Sequence, residues 1–177
     1  MSCILVAGVG NIFCGDDAFG VEVVGRLLRE RRLPPAIDVV DFGIRGLDLA
    51  YALSDDYDCV IVADAAARGE KPGTVSLLET EISPSRADAS PVVFDSAHGL
   101  DPEKVLSLAT TLGASCKRIF FVVCEPFDLG GEDGAMGLSD VVAGAVEPSV
   151  ELIERLVSSL LHDEIGKDPA LSDRSLS

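Results

Sequence analysis

Residues 3–20 read CILVAGVGNIFCGDDAFG, and they contain the pattern that decides the fold. The stretch begins with a short continuous apolar run that ends in glycine, which is typical of a strand buried within a parallel sheet. A glycine-rich loop follows, and apolar residues then recur at helical spacing from about residue 18 to residue 31. The stretch therefore predicts a strand, a tight turn and a helix in direct succession.

The alternation of strands and helices continues along the rest of the chain. Apolar runs predict further strands at 37–42, 58–64, 73–79 and 118–124. Helical periodicity predicts helices at 46–54, at 102–112, and from the cap residue Ser139 to about 162 with a kink at Pro148.

This order of elements predicts an α/β fold. We expect a three-layer sandwich, in which a twisted, mainly parallel sheet of about five strands lies between helices. The composition shifts predict a single domain over residues 1–162, with a long loop at 80–97 and a disordered tail over 163–177.

The composition excludes several classes of partner. The chain of 177 residues carries 30 acidic and 14 basic side chains, a formal net charge of −16. So large an excess of negative charge argues against nucleic acid and membrane surfaces as partners, since both are bound by basic patches.

The first residues lack a basic segment and a long apolar run, so we expect a cytoplasmic protein. The five cysteines form no C-x-x-C pair, which indicates reduced thiols.

The glycine-rich loop invites comparison with nucleotide-binding loops. A dinucleotide fingerprint needs G-x-G-x-x-G, but Phe13 stands where the third glycine belongs. Asp41 sits where it could imitate the ribose-binding acid, yet Asp16 and Asp17 would repel a pyrophosphate near the helix start. A nucleotide- or metabolite-binding module without peptidase activity is therefore the alternative function rather than the favoured one.

Three polar residues point to a metal-ion site. Asp17 follows the first strand, Asp64 closes the third, and His98 lies in a loop before a predicted helix. Ligands of such folds bind beyond the carboxyl ends of the strands, where loops carrying these residues would meet. Two carboxylates and an imidazole suit a borderline divalent ion such as nickel or zinc, with positions left open for water or substrate.

Simpler interpretations of these residues stay open at this point. An aspartate in a first helical turn or at the end of a buried strand often caps a helix, and a single loop histidine is more often a surface residue. Cys14 near His98 is a further alternative, as a thiol nucleophile, although no third orienting residue suggests itself.

The segment GVGNIFCGDDAFG at 8–20 resembles the opening motif G-x-G-N-x-[LF]-x-x-D-[DE]-x-x-G of the hydrogenase maturation endopeptidases. The similarity continues in the same order through DFGIRG (41–46), VIVADA (60–65), HGLDPEKVL (98–106) and GLSDVVAGAVEPSVELI (137–153). The opening motif with a later Asp and His is specific, and together the segments cover most of the chain.

The resemblance implies a function and a mechanism. Members of this family remove a C-terminal extension from the precursor of the nickel–iron hydrogenase large subunit, after nickel has been inserted. By this resemblance the domain is a peptidase domain with a phosphorylase/hydrolase-like sandwich, and Asp17, Asp64 and His98 are both its catalytic residues and its ligands for nickel. The substrate supplies the nickel, and other divalent metals can occupy the site. Asp16 is placed at the helix start or beside the ligands.

The resemblance also implies a substrate-recognition segment. DFGIRG matches the glycine-rich segment that helps members of the family to choose their substrate, which assigns Asp41, Gly43 and Gly46 to substrate recognition. Phe42 and Ile44 depart from the glycine and threonine that relatives often have there. The departure leaves the predicted ligands intact and leaves open which hydrogenase is the partner.

Overall fold

A computed structural model describes residues 3–80, 109–114, 116, 118–131 and 133–165. The strands are β1 (Ile4–Val9), β2 (Asp38–Gly43), β3 (Cys59–Ala65), β4 (Val75–Thr80) and β5 (Arg118–Cys124). The helices are α1 (Phe19–Glu30), α2 (Gly46–Ala52) and α3 (Asp140–Ile165), and a short 3-10 helix, Gly15–Ala18, precedes α1. In the described part of the chain, no helix has the length and apolar character needed to cross a membrane.

The five strands form one sheet in the order β2-β1-β3-β5-β4. β1 pairs in parallel with β2 and β3, and β3 pairs in parallel with β5. β4 alone runs antiparallel, against β5 at the edge of the sheet. The predicted α/β class and the mainly parallel sheet are therefore confirmed.

A hydrophobic core covers each face of the sheet, as expected for a three-layer sandwich. Alternate β1 residues point to opposite faces, so Ile4 and Val6 join one cluster while Leu5 and Ala7 join the other. The first cluster contains the apolar faces of α1 and α3, and the second contains the buried residues of α2. The helices thus lie on both faces, and the loops that lead from β1, β2 and β5 into them lie at the carboxyl edge of the parallel strands.

Most predicted elements appear close to their expected positions. Helix α3 runs through Pro148 and ends at Ile165, beyond the predicted end near 162. The kink at Pro148 stays a prediction. Residues 109–111 are helical and belong to the helix predicted at 102–112, whose earlier residues lie outside the described ranges. Residue 80 ends β4 and residues 163–165 end α3, so the predicted loop at 80–97 and the predicted disordered tail at 163–177 both begin too early; the rest of each lies outside the described ranges.

Charged side chains on α1 and just after its end contact α3 at the surface. Arg26 contacts Glu147 at 3.0 Å, and Arg32 contacts Glu147 at 3.0 Å and Glu154 at 2.6 Å. These partners are partly exposed, so each pair contributes modestly, and the shared arginine and glutamate make a network rather than isolated pairs. The network holds the two helices side by side on one face of the sheet.

The beginning of α1 lies unusually close to the sheet because residue 20 has no side chain. A Cβ atom on Gly20 would lie 2.0 Å from the Ala63 carbonyl oxygen and 2.3 Å from the Val9 carbonyl oxygen. Both distances are far below van der Waals contact, and both oxygens belong to backbone that cannot rotate away. Gly20 therefore sets the distance between the start of α1 and strands β1 and β3.

We predict that Gly20→Ala lowers the free energy of unfolding by about 3 kcal/mol or more, because the added methyl group must displace helix α1 from the sheet. Urea denaturation followed by circular dichroism measures the change. Gly144→Ala is the matched control, since Gly144 also lies in a helix and a Cβ there meets open space. The control is expected to gain about 0.5–1 kcal/mol from the higher helix propensity of alanine. Equal stability of the two variants would contradict this account of Gly20.

Candidate functional site

The candidate site lies at the carboxyl edge of the parallel strands. β1 ends at Val9 and leads into the glycine-rich loop, and β3 carries Asp64 next to its last residue. Gly8 pairs with Ala63 in the parallel register of these strands, so the loop after β1 begins beside Asp64. The position agrees with the general rule that α/β sheets bind ligands at this edge.

Asp17 lies on the 3-10 helix and is half-buried. Its Oδ2 accepts a hydrogen bond of 2.7 Å from the Asn11 backbone N–H, and the Asn11 Oδ1 accepts one of 3.0 Å from the Phe13 N–H. Gly10 has a φ of +137°, and a Cβ there would lie 1.8 Å from the Asp17 carbonyl oxygen. Gly10 and Asn11 therefore shape the loop that presents this carboxylate.

Asp64 is almost fully buried, with 2% of its surface exposed. Burial raises the pKa of its carboxyl group well above the usual range, the nearby charge of Asp17 raises it further, and a hydrogen bond from the Ala65 N–H opposes both. Burial also raises the pKa of Asp17, against the Asn11 hydrogen bond. The structure thus brings the two predicted carboxylates together where their negative charges are unfavourable.

Such a pair favours the binding of a positive charge. Two carboxylates in a partly desolvated site either share a proton or bind a cation, and oxygen ligands of this kind accept divalent metals. A carboxyl group whose pKa is strongly raised by burial and by a neighbouring like charge is also a candidate for a functional site. Asp17 and Asp64 are therefore of the residue type that the predicted metal-ion chemistry requires.

His98, the third predicted ligand, lies outside the described residues. Within the residues that the structure does describe, no group of three His, Cys, Asp or Glu side chains is arranged to hold a metal ion. The metal role of the three residues stays a prediction. The second histidine, His162, is exposed near the end of α3, where its Nδ1 lies 2.6 Å from the Ser158 carbonyl oxygen.

Asp16 has a role that the sequence did not indicate. It is fully buried, and its carboxylate accepts hydrogen bonds from the backbone N–H groups of Phe127 (2.8 Å), Asp128 (2.8 Å) and Ser139 (2.6 Å). The Ser139 hydroxyl donates a fourth bond of 2.9 Å. Asp16 therefore ties the segment after β5 and the beginning of α3 to the opening loop.

The environment of Asp16 favours its charged form. Burial raises the pKa of this carboxyl group, but the hydrogen bonds from Asp128, Ser139 and Phe127 outweigh burial, so the pKa is lowered. Ser139 stands at the expected start of α3, where its carbonyl oxygen accepts from the Ala143 N–H. Its hydroxyl donates to Asp16, a partner that is 123 residues away in sequence. No local pattern reveals such a contact.

The predicted substrate-recognition residues lie beside the same loop. Gly43 ends β2 with a φ of +54°, and its N–H donates to the Asp41 Oδ1 at 2.8 Å. Its carbonyl oxygen accepts from the Gly10 N–H at 2.9 Å, which joins the end of β2 to the opening loop. Gly46 is buried at the first position of α2. Their role in substrate recognition stays a prediction.

Cys14 lies half-buried in the opening loop, and its carbonyl oxygen accepts from the Asp17 N–H at 3.1 Å. Its predicted partner as a thiol nucleophile is His98, outside the described residues.

Glu125 is a further acid at the carboxyl edge that the sequence did not single out. Its carboxylate accepts from the Arg68 N–H at 2.7 Å and the Gly69 N–H at 3.3 Å, which fixes the loop after β3.

Comparison with known proteins identifies the family. The family model "Hydrogenase maturation protease" matches residues 21–156. This chain belongs to the hydrogenase maturation protease family. The match begins just after Asp17, so the opening motif supports the assignment independently of it.

Individual relatives agree with this family over most of the chain. The hydrogenase expression/formation protein HupD of Bradyrhizobium diazoefficiens is 34% identical over 149 residues, covering 84% of this chain and 74% of that protein. The hydrogenase 2 maturation protease of Escherichia coli is 32% identical over 154 residues, covering 85% and 87%.

Solved structures of the family have the same fold. The hydrogenase 2 maturation peptidase of a Thaumarchaeota archaeon superposes with a TM-score of 0.66 at 31% identity, covering 89% of this chain and 99% of that one. The hydrogenase maturating endopeptidase HybD of Escherichia coli superposes with a TM-score of 0.65 at 27% identity, covering 91% and 93%. The predicted sandwich fold and the resemblance to this family are both confirmed.

We predict that Asp16→Asn lowers the free energy of unfolding by about 2–4 kcal/mol at pH 7, since an amide offers one acceptor oxygen and turns an N–H₂ group toward buried donors. The folded pKa of Asp16 is lowered, so its charged form contributes stability above the unfolded pKa of about 3.9, and that stability is lost as the pH falls through the folded value. Urea denaturation at pH 7 and pH 3 should therefore show a smaller difference from the wild type at pH 3. Glu151→Gln, an exposed acid on α3, is the control.

We predict the opposite sign for Asp64→Asn measured with a chelator present. The folded pKa of Asp64 is raised, so the wild type loses stability as the pH rises from the unfolded value of about 3.9 through the folded value. The neutral amide avoids this loss, and the variant should be more stable than the wild type at pH 7 and nearly equal to it below pH 4 or so. A variant that is less stable than the wild type at pH 7 would contradict the unfavourable charge assigned to the site.

Proposed function

We propose that this chain is an endopeptidase that removes the C-terminal extension of the nickel–iron hydrogenase large-subunit precursor after nickel insertion. In this proposal Asp17, Asp64 and His98 recognise the nickel that the precursor carries. Family membership and the names of the relatives support hydrogenase maturation as the process. The observation that carries the proposal is the pair of carboxylates at the sheet edge, with Asp64 buried and held near the charge of Asp17.

The chemistry of the pair suits recognition of a substrate-borne ion. The negative charges of Asp17 and Asp64 are unfavourable without a cation, so a divalent ion entering with the precursor offsets a repulsion that an ion-free precursor leaves in place. His98 supplies an imidazole, which is a good ligand for nickel. Bound nickel would also act as a Lewis acid toward a neighbouring carbonyl group.

Because the site favours a precursor that carries an ion, cleavage takes place only on precursor that already holds nickel. A precursor without nickel lacks the ion that brings it to the site, so cleavage follows metal insertion and does not precede it. The proposal assigns Asp41, Gly43 and Gly46 to the recognition of the peptide beside the ion. The hydrogen bond from Gly10 to Gly43 supports this, because it places the end of β2 against the loop that carries Asp17.

The proposal places the activity in the cytoplasm. All five cysteines are free thiols, and three of them, Cys59, Cys116 and Cys124, are buried in the core. Free cysteines in these numbers suit a reducing compartment. No bond between cysteines supports the fold, so a reducing environment leaves the site intact.

The proposal predicts that the purified protein processes nickel-loaded large-subunit precursor and leaves nickel-free precursor uncut, as measured by mass spectrometry of the released extension. Asp17→Asn and His98→Ala should each lower the rate by at least about 100-fold, because removing a ligand exceeds the usual effect of disturbing the groups that orient one.

Glu151→Gln is the control variant and should process at the wild-type rate. Cleavage of both precursors at equal rates would overturn recognition through nickel. Full activity of Asp17→Asn would overturn the site. A protein that is stabilised against heat by nucleotides, and that cuts neither precursor, would favour the nucleotide-binding alternative.

A further inference from the structure

Exposed apolar side chains are concentrated on two loops beside the carboxylate pair. One is the opening loop, residues 10–18, and the other is the segment after β5, residues 126–139. We call their five exposed large apolar side chains the apolar rim: Ile12 (43% exposed), Phe13 (61%), Phe127 (69%), Leu129 (48%) and Met136 (76%). Ile44 and Leu47, which follow β2 at the same edge of the sheet, are also exposed.

The two loops are one hydrogen-bonded unit. The Gly15 N–H donates to the Ala135 carbonyl oxygen at 2.8 Å, and the Ala135 N–H donates to the Phe13 carbonyl oxygen at 3.0 Å. The Asp16 N–H donates to the Asp128 carbonyl oxygen at 2.8 Å, and the Asp16 carboxylate accepts from the segment after β5. The rim is therefore attached to a fixed backbone, which lowers the entropy that a partner must offset when it binds.

The rim has the composition of an interface rather than of ordinary surface. Single exposed apolar residues are common, but phenylalanine and methionine gathered on neighbouring loops next to a functional site mark a contact surface. The chain carries a net charge of −16, so an acidic partner gains nothing from long-range attraction. Contact at the rim must come from burial of apolar area.

The carboxylate pair determines which partner fits. Phe13 and Ile12 of the rim share the opening loop with Asp17, and the 3-10 helix that carries Asp17 also carries Asp16, which holds the second loop. A partner that covers the rim therefore also covers the site. It must bring positive charge to the two carboxylates and apolar side chains to the surrounding loops.

We propose that the apolar rim is the surface on which the metal-bearing precursor docks, through apolar side chains of the segment that flanks its metal ion. This rests on the proposed function and extends it to the peptide itself. The ion is recognised by the carboxylates, and the flanking segment is held by Phe127, Leu129 and Met136 of the segment after β5 and by Phe13 of the opening loop. The rim contributes affinity for the precursor and takes no part in bond cleavage.

The test compares serine variants of the rim with a matched control. Leu129 and Leu28 are both leucines with 48% of their surface exposed, but Leu28 lies on helix α1, away from the two loops. Binding of Leu129→Ser, Phe127→Ser, Met136→Ser and Leu28→Ser to immobilised nickel-loaded precursor is measured by surface plasmon resonance, and processing kinetics are measured separately. Thermal unfolding confirms that each variant is folded.

We expect each rim variant to bind at least about fivefold more weakly than the wild type, as is usual when an interface anchor is truncated. The KM for processing should rise with kcat nearly unchanged, because uniform binding is lost, while Leu28→Ser should match the wild type. A rise in KM with constant kcat separates docking from a disturbance of the carboxylates.

The remaining outcomes separate the two proposals. If the wild type cleaves the precursor and the rim variants bind like the wild type, or Leu28→Ser binds as weakly as they do, the docking surface is overturned and the proposed function stands. If the wild type binds without cleaving and the rim variants bind more weakly, the docking surface stands and the endopeptidase activity is overturned. A wild type that does not bind the precursor overturns both.

Discussion

The close approach of the first helix to the sheet is the constraint on which the site depends. Gly20 allows the backbone of α1 to lie against the carbonyl oxygens of Val9 and Ala63, at a separation that admits no side chain. The 3-10 helix precedes α1 directly, so its distance from the sheet is fixed by the same contact. Gly10 then lets the loop pass beside the Asp17 carbonyl oxygen. Two residues without side chains thus bring Asp17 to Asp64.

The position of Asp17 near the buried Asp64 makes the charged form of Asp64 unfavourable. Asp64 is buried beside a second carboxylate, and burial is the main reason for its raised pKa. A group of this kind destabilises the fold at neutral pH in the absence of a cation, and the surrounding core must offset the loss. The core does so from both faces of the sheet, where α1 and α3 cover one side and α2 the other. The proposed function accounts for the retention of this pair, since a cation brought by the precursor would offset the repulsion between the two carboxylates.

The sequence predicted the parts of the molecule whose causes are local. Buried strands such as Cys59–Ala65 and Arg118–Cys124 were recognised within a residue or so, because a continuous apolar run is a property of the segment itself. The sequence does not reveal that β4 is antiparallel, because the direction of this strand depends on its pairing with β5. The positions of Asp17 and Asp64, after one strand and at the end of another, identify them as candidates from the sequence alone. For Asp16 the sequence indicates only a place at the helix start or beside the ligands, because the donors that its carboxylate contacts lie more than 110 residues away along the chain. His98 is outside the described residues, so its part in the site stays a prediction.

The neighbouring aspartates show how one turn of backbone divides two tasks. A 3-10 helix has about three residues per turn, so consecutive side chains point about 120° apart. Asp16 therefore turns into a shell of N–H and O–H donors from the segment after β5, where its charge is stabilised. Asp17 turns toward Asp64, where its charge is unfavourable, with a single backbone donor from Asn11. In an α-helix, with 3.6 residues per turn, the two side chains would point about 100° apart. The two carboxylates of this dipeptide therefore lie in different surroundings: several hydrogen-bond donors outweigh burial at Asp16, and burial outweighs the single donor at Asp17, so their pKa values move in opposite directions.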